Sequence, residues 1–205
     1  MAKAITTNER ETKMGSLGSV GYLVVSTLGG LFVLAVLLRF MLQVARADFY
    51  NPFTQAIVKV TDPGVKLFRR FIPGFRGFDF ASLVLALLAQ CIATALLIIF
   101  SGFQIPSVGL VISWSSVGLL SFILNIYFWA MIISIVSSFV APFSTHPALL
   151  LVRQLTEPIM EPFRRLLPSM GGLDLSPIFV FLALQIIRAI LIAPVGVNPR
   201  VVLGI

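Results

Sequence analysis

Few side chains in this 205-residue chain could carry chemistry, and their types and spacing limit what that chemistry is. Glu157 and Glu161 stand four apart, which brings two carboxylates to one helix face and would suit acid/base work; at a helix start they equally answer the positive end of the helix dipole. His146 is the single histidine and Cys91 the single cysteine. Neither has partners at ligand spacing, so the sequence offers no metal site, haem site or internal disulfide. It contains no nucleophile elbow, zinc-protease motif, phosphate-binding loop or dinucleotide fingerprint. The expectation is a protein with no catalytic residue, no metal and no cofactor.

The informative polar residues stand inside apolar runs. Arg188 lies near the middle of the run that begins at Pro177, and Gln185 is one turn earlier on the same face. An arginine at that depth in a bilayer costs at least about 2.5–3.5 kcal/mol, so it must face protein or a cavity rather than lipid. No Asp or Glu lies in any apolar run to pair with it. Gln90, Asn125, free backbone carbonyls, another subunit or an anionic ligand are the available partners. Arg188 is thus either an internal clamp between helices or part of a ligand or ion path. Arg39 is nearer the end of its run and is expected to snorkel to the membrane surface.

Those runs define the solvent. Hydrophobic residues make up 58% of the chain and charged ones 11%, against roughly a quarter charged in soluble domains. Mean hydropathy is +1.02. The formal charge of +7 lies between the apolar runs, where orientation in the bilayer and attraction to anionic headgroups explain it better than nucleic acid does. The pattern predicts an all-α membrane protein with four transmembrane helices over Leu17–Gln43, Phe80–Phe100, Gly118–Val140 and Pro177–Val195. Ala45-Arg46-Ala47 resembles a signal-peptide cleavage site, but the preceding run exceeds the usual h-region of about 7–15 residues, so it reads as a retained span.

The chain is also a tandem duplication. At a constant offset of 95 residues, Pro52/Pro147, Thr61/Thr156, Pro63/Pro158, Phe68/Phe163, Arg69/Arg164, Arg70/Arg165, Pro73/Pro168, Gly77/Gly172, Asp79/Asp174 and Gln90/Gln185 are identical pairs. The expected organisation is a polar tail over 1–16, a first repeat over 17–101 with its loop at 46–79, a linker over 102–117, a second repeat over 118–197 with its loop at 141–176, and a tail over 198–205. Each repeat is span, interfacial amphipathic helix, span. An even number of spans per repeat makes the two repeats parallel.

In the first loop Thr61-Asp62-Pro63 reads as a helix start, with a capping side chain and a proline in the first turn. Lys66, Arg69 and Arg70 then share one helix face and Phe68, Phe71 and Ile72 the opposite one, which suits a helix lying flat in the interface until Pro73 ends it. Asp79 and Asp174 precede spans, where a carboxylate caps a helix or pairs with the arginines. Gly171-Gly172 suits a tight turn, and Ser176-Pro177 a second cap-plus-proline start. The two repeat loops carry nine cations and the opposite side four, which places the loops in the cytoplasm and both termini in the periplasm. The Arg69-Arg70 and Arg164-Arg165 pairs serve either headgroup binding or the docking of a cytoplasmic partner.

Tyr50-Asn51-Pro52-Phe53, Thr156-Glu157-Pro158, Pro162-Phe163-Arg164-Arg165 with Pro168, and Gly171-Gly172-Leu173-Asp174-Leu175-Ser176-Pro177 resemble the signature of the YggT family, called YlmG in Gram-positive bacteria and plastids. The double-length form resembles the proteobacterial members, which implies the bacterial inner membrane. Leu67 and Ala81-Ser82 in the first copy, and His146-Pro147-Ala148 in the second, depart from the signature and suggest that the halves have specialised. The resemblance implies support of osmotic-stress tolerance or ion homeostasis. Its other implications are a scaffold for cell division or membrane organisation and an accessory role in haem attachment. A homo-oligomer or other membrane proteins are the expected partners.

Overall fold

A computed structural model of the chain describes residues 15–72, 74, 78–166, 176–192, 196 and 199–204. Pro73, Arg76, Gly77, Pro168, Gly171, Gly172, Asp174 and most of the 1–16 tail lie outside the described residues. The described chain is helical. Helix α1 (Ser16–Val24) runs through a π-helical turn (Val25–Gly29) into α2 (Gly30–Val44). Then follow α3 (Pro52–Arg69), α4 (Phe80–Phe100), α5 (Val108–Val140), α6 (Pro147–Leu166) and α7 (Ser176–Ile192).

Among the described residues three helical stretches are long and apolar enough to cross a bilayer: Gly18–Val44 with 27 residues, Phe80–Phe100 with 21 and Val108–Val140 with 33. Helix α7 is apolar but has 17 described residues, a length of about 25 Å at 1.5 Å per residue. Helix α5 starts at Val108 rather than Gly118 and so absorbs most of the expected linker, because 108–117 carries no charge or proline to stop it.

The duplication is visible in three dimensions. Helices α3 and α6 begin at Pro52 and Pro147, positions separated by the sequence offset. Each is continuous through internal prolines, Pro63 in α3 and Pro158 and Pro162 in α6. This corrects the expectation that a helix starts at Thr61-Asp62-Pro63. The start signal acts earlier instead: Asn51 is the cap, its side chain accepting the Phe53 N–H, with Pro52 in the first turn. All three internal prolines are on exposed faces, as are Lys59, Gln154 and Pro158, whose carbonyls they leave without an N–H, so solvent can take over. Glu157 and Glu161 are consequently mid-helix residues rather than first-turn residues.

Packing follows the repeats. Val33, Val36 and Leu37 of α2, Val65 of α3, and Ala81, Leu85 and Ala86 of α4 form the first core. Leu124 and Met131 of α5, Met160 of α6, and Val180 and Leu184 of α7 form the corresponding one. Val65/Met160 and Leu85/Val180 are offset-related pairs buried in both halves. A third cluster, with Met41 and Leu42 of α2, Ala130 of α5, and Leu151 and Leu155 of α6, joins them. The 198–205 tail is not a free tail where it is described: Val201, Val202 and Leu203 are buried inside the bundle.

Candidate functional site

Three polar arrangements stand out from this apolar framework. The first is an ion cluster where α2, α3 and α4 meet. Arg39 is 5% exposed and donates to Thr61 Oγ1 at 2.9 Å, Asp62 Oδ1 at 2.8 Å and the Val58 carbonyl at 3.3 Å. Its Nε lies 3.9 Å from Asp79 Oδ2. The expected snorkelling is therefore corrected: inward carboxylate and hydroxyl partners satisfy the guanidinium that water would otherwise have to reach. Asp79 is 1% exposed, accepts from Arg69 at 2.7 Å, and caps α4 through the Ser82 hydroxyl at 2.7 Å and its N–H at 3.4 Å. Both roles foreseen for Asp79, cap and arginine partner, are filled at once.

Electrostatics follow these contacts. Lys66 bonds Asp62 at 2.8 Å, and this bond, then that from Arg39, holds the Asp62 carboxyl below the usual carboxylate range. Burial pushes the Asp79 carboxyl up, but the bonds from Arg69 and Ser82 outweigh it and leave it lowered. The described residues of the second repeat differ: Ser134 stands at the position equivalent to Arg39, and the Asp62 equivalent, Glu157, pairs at the surface with Arg164 at 2.6 Å, while the Asp79 equivalent, Asp174, lies outside the described residues. Arg165 pairs with Glu161 on the same helix.

The second arrangement crosses the middle of the bundle. Arg188 donates to Asn125 Oδ1 at 3.1 Å, and Asn125 Nδ2 donates to the Gly204 carbonyl at 2.9 Å. Gln90, fully buried, donates to the Leu203 carbonyl at 2.9 Å, and the Tyr22 hydroxyl to the Arg200 carbonyl at 2.7 Å. Arg188, Asn125 and Gln90 are thus gathered around one segment. Gln185 is not; it is exposed on α7, although its repeat mate Gln90 is fully buried. Sequence reading missed Tyr22 and residues 200–204, where the apolar Val201-Val202-Leu203 run is the one signal of burial.

The third arrangement joins the two repeat helices. Asn51 Nδ2 donates to the Pro147 carbonyl at 2.7 Å, the Asp48 N–H donates to Gln154 Oε1 at 3.0 Å, and the Phe53 and His146 rings lie 6.2 Å apart. His146 occupies the place equivalent to Asn51, so the contact has two related sides. Helices α3 and α6 therefore form one surface, with Lys59, Lys66, Arg69, Arg70, Arg164 and Arg165 exposed on it. Thr61 and Thr156 are buried beneath it and bond back to carbonyls in their own helices. Among the described residues no group of three or more His, Cys, Asp or Glu could hold a metal ion.

A chain whose described residues are helical and include three bilayer-length apolar helices is of the membrane-protein class. The CCB3/YggT family model matches it twice, over residues 19–100 and 113–195, once per repeat. The chain belongs to the CCB3/YggT family. It is 47% identical over 180 residues to an uncharacterized protein of Pseudomonas aeruginosa, covering 87% of this chain and 91% of that one. It is 38% identical over 172 residues to an uncharacterized protein of Vibrio alginolyticus, covering 82% and 91%. To the uncharacterized protein YggT of Escherichia coli K12 it is 37% identical over 166 residues, covering 80% and 84%. No solved structure matches the chain at a significant level.

Proposed function

We propose that the chain is a non-catalytic, multi-pass inner-membrane scaffold whose working surface is the joined pair α3 and α6. The observation that carries this reading is the Asn51–Pro147 bond at 2.7 Å, which fixes the two basic helices to one another across the repeats. In this reading α7 is a fourth span, and the excess of cations in the two loops sets them on the cytoplasmic side with both termini in the periplasm. The exposed cations then meet anionic headgroups or an acidic face of another membrane protein, and the exposed Phe53, Val60, Leu67 and Phe71 enter the acyl boundary.

A second reading is osmotic-stress tolerance or ion homeostasis through conduction. It is favoured by the line of polar groups from Arg188 through Asn125 to Gln90. In the scaffold reading these groups are a clamp, since each is bonded within the chain. Potassium and sodium flux in proteoliposomes separates the two. The scaffold predicts flux no greater than in empty vesicles; flux that changes in Arg188→Ala, with equal insertion, would sink it in favour of conduction.

A further inference from the structure

The groove between α4 and α5 reads backbone rather than side chains. Three donors, Gln90 Nε2, Asn125 Nδ2 and the Tyr22 hydroxyl, each take a carbonyl of the segment 200–204. Such contacts do not depend on which side chains the segment carries. Gly118 opens the floor of the groove: a Cβ there would stand 2.4 Å from Val202 Cγ1 and 2.9 Å from the Leu203 carbonyl oxygen. Gly118, Ser121 and Asn125 share one face of α5 by i, i+3, i+7 spacing.

A separate observation concerns what the segment leaves unused. Gln90 is fully buried, and while its Nε2 is bonded to the segment, Oε1 of the same amide has no hydrogen-bond partner. The hydroxyl of Ser121, 2% exposed, has none either. A primary amide beside a peptide backbone can take both a C=O and an N–H, and buried polar groups are normally satisfied. Residues 200–204 fill the groove but leave Gln90 Oε1 and the Ser121 hydroxyl unengaged.

We propose that this groove is a binding site for a short apolar peptide segment in turn conformation, with residues 200–204 as its ligand in cis. A ligand that also presents an N–H to Gln90 Oε1 is the better fit. Two positions set its chemistry: a β-branched side chain over Gly118, where Val202 sits, and a glycine beside Phe122. Gly204 has φ +89° and its Cβ would stand 2.5 Å from the Phe122 ring. The site stands independently of the scaffold reading, because it rests on α4 and α5 with Tyr22 of α1 and not on α3 or α6.

The test uses purified protein in detergent with Cys91→Ser and Ser121→Cys, and reads the rate of alkylation by N-ethylmaleimide. In the full chain the thiol is protected. Removal of residues 199–205 exposes it, and a capped synthetic peptide of the sequence of residues 200–204 protects it again, slowing alkylation about tenfold at about ten times its Kd. The same peptide with valine in place of its glycine gives no protection. Gly204→Val in the full-length chain raises the alkylation rate without shortening the protein. Three results overturn the proposal: continued protection in the shortened chain, exposure that the peptide does not reverse, or loss of helix content on shortening, which would make the segment core rather than ligand.

Discussion

Arg39 shows how far one side chain can determine its surroundings. It is buried against Asp62 and close to Asp79, so replacing it by methionine leaves two carboxylates without their shared cation. Asp62 keeps Lys66 and Asp79 keeps Arg69, so we expect Arg39→Met to lower the thermal unfolding midpoint in detergent but to cost less than the about 3–5 kcal/mol of a buried charge left unpaired. Arg39→Lys should rescue little, since one ammonium cannot span the Val58, Thr61 and Asp62 acceptors. The lowered carboxyls also set an acid limit. A depressed folded-state value means that the unfolded chain binds more protons, so the stabilisation is complete above the unfolded value near 3.9 and is lost as pH falls through the folded values. Unfolding midpoints should hold from neutral pH down to about pH 4 and drop below it, with a smaller drop in Asp62→Asn. Asn125 and Gln185 make the opposite comparison. Asn125→Leu strands Arg188 and the Gly204 carbonyl and destabilises, whereas exposed Gln185→Leu stays within about 0.5 kcal/mol of wild type.

At the scale of elements, the loop helices are continuous because each proline was placed on an exposed face. Asn51 has two jobs, cap of α3 and donor to α6, so Asn51→Ala should cost more than the roughly 1 kcal/mol of a lost cap alone. Asn51→Ser keeps the cap without the amide donor, and the difference between the two variants measures the cross-repeat bond. Gly118→Ala belongs here as well: its Cβ meets backbone as well as side chain, and overpacking of this kind costs about 1–3 kcal/mol in the unfolding midpoint.

At the scale of the whole molecule, the duplication was legible because Pro, Gly, Arg and Asp mark it at a constant offset, and the family followed from the same residues. Apolar run length gave three of the long helices directly. Helix boundaries were less legible: Thr61-Asp62-Pro63 carries the same start signal as Asn51-Pro52, and only packing on α2 and α4 decides that the helix runs through. The site was legible in part. Asn125 was among the named partners of Arg188, but the burial of Arg39 and of Val201, Val202 and Leu203 depends on contacts more than twenty positions apart. No local period encodes such contacts. The halves have diverged around a common frame, with a buried arginine at Arg39 in the first and a half-buried one at the unrelated position Arg188 in the second.

That frame points outward to the α3 and α6 surface, and photo-cross-linking in native membranes tests it most directly. A photoreactive residue at Lys66, which is 72% exposed on that surface, is compared with one at Ile178 on α7, in the wild-type background and with Arg164→Gln/Arg165→Gln. The scaffold account predicts a discrete protein adduct from Lys66 that falls several-fold when the α6 arginines are replaced, with wild-type insertion retained and no such response from Ile178. Absence of a discrete adduct from Lys66, or one indifferent to Arg164 and Arg165, would contradict it.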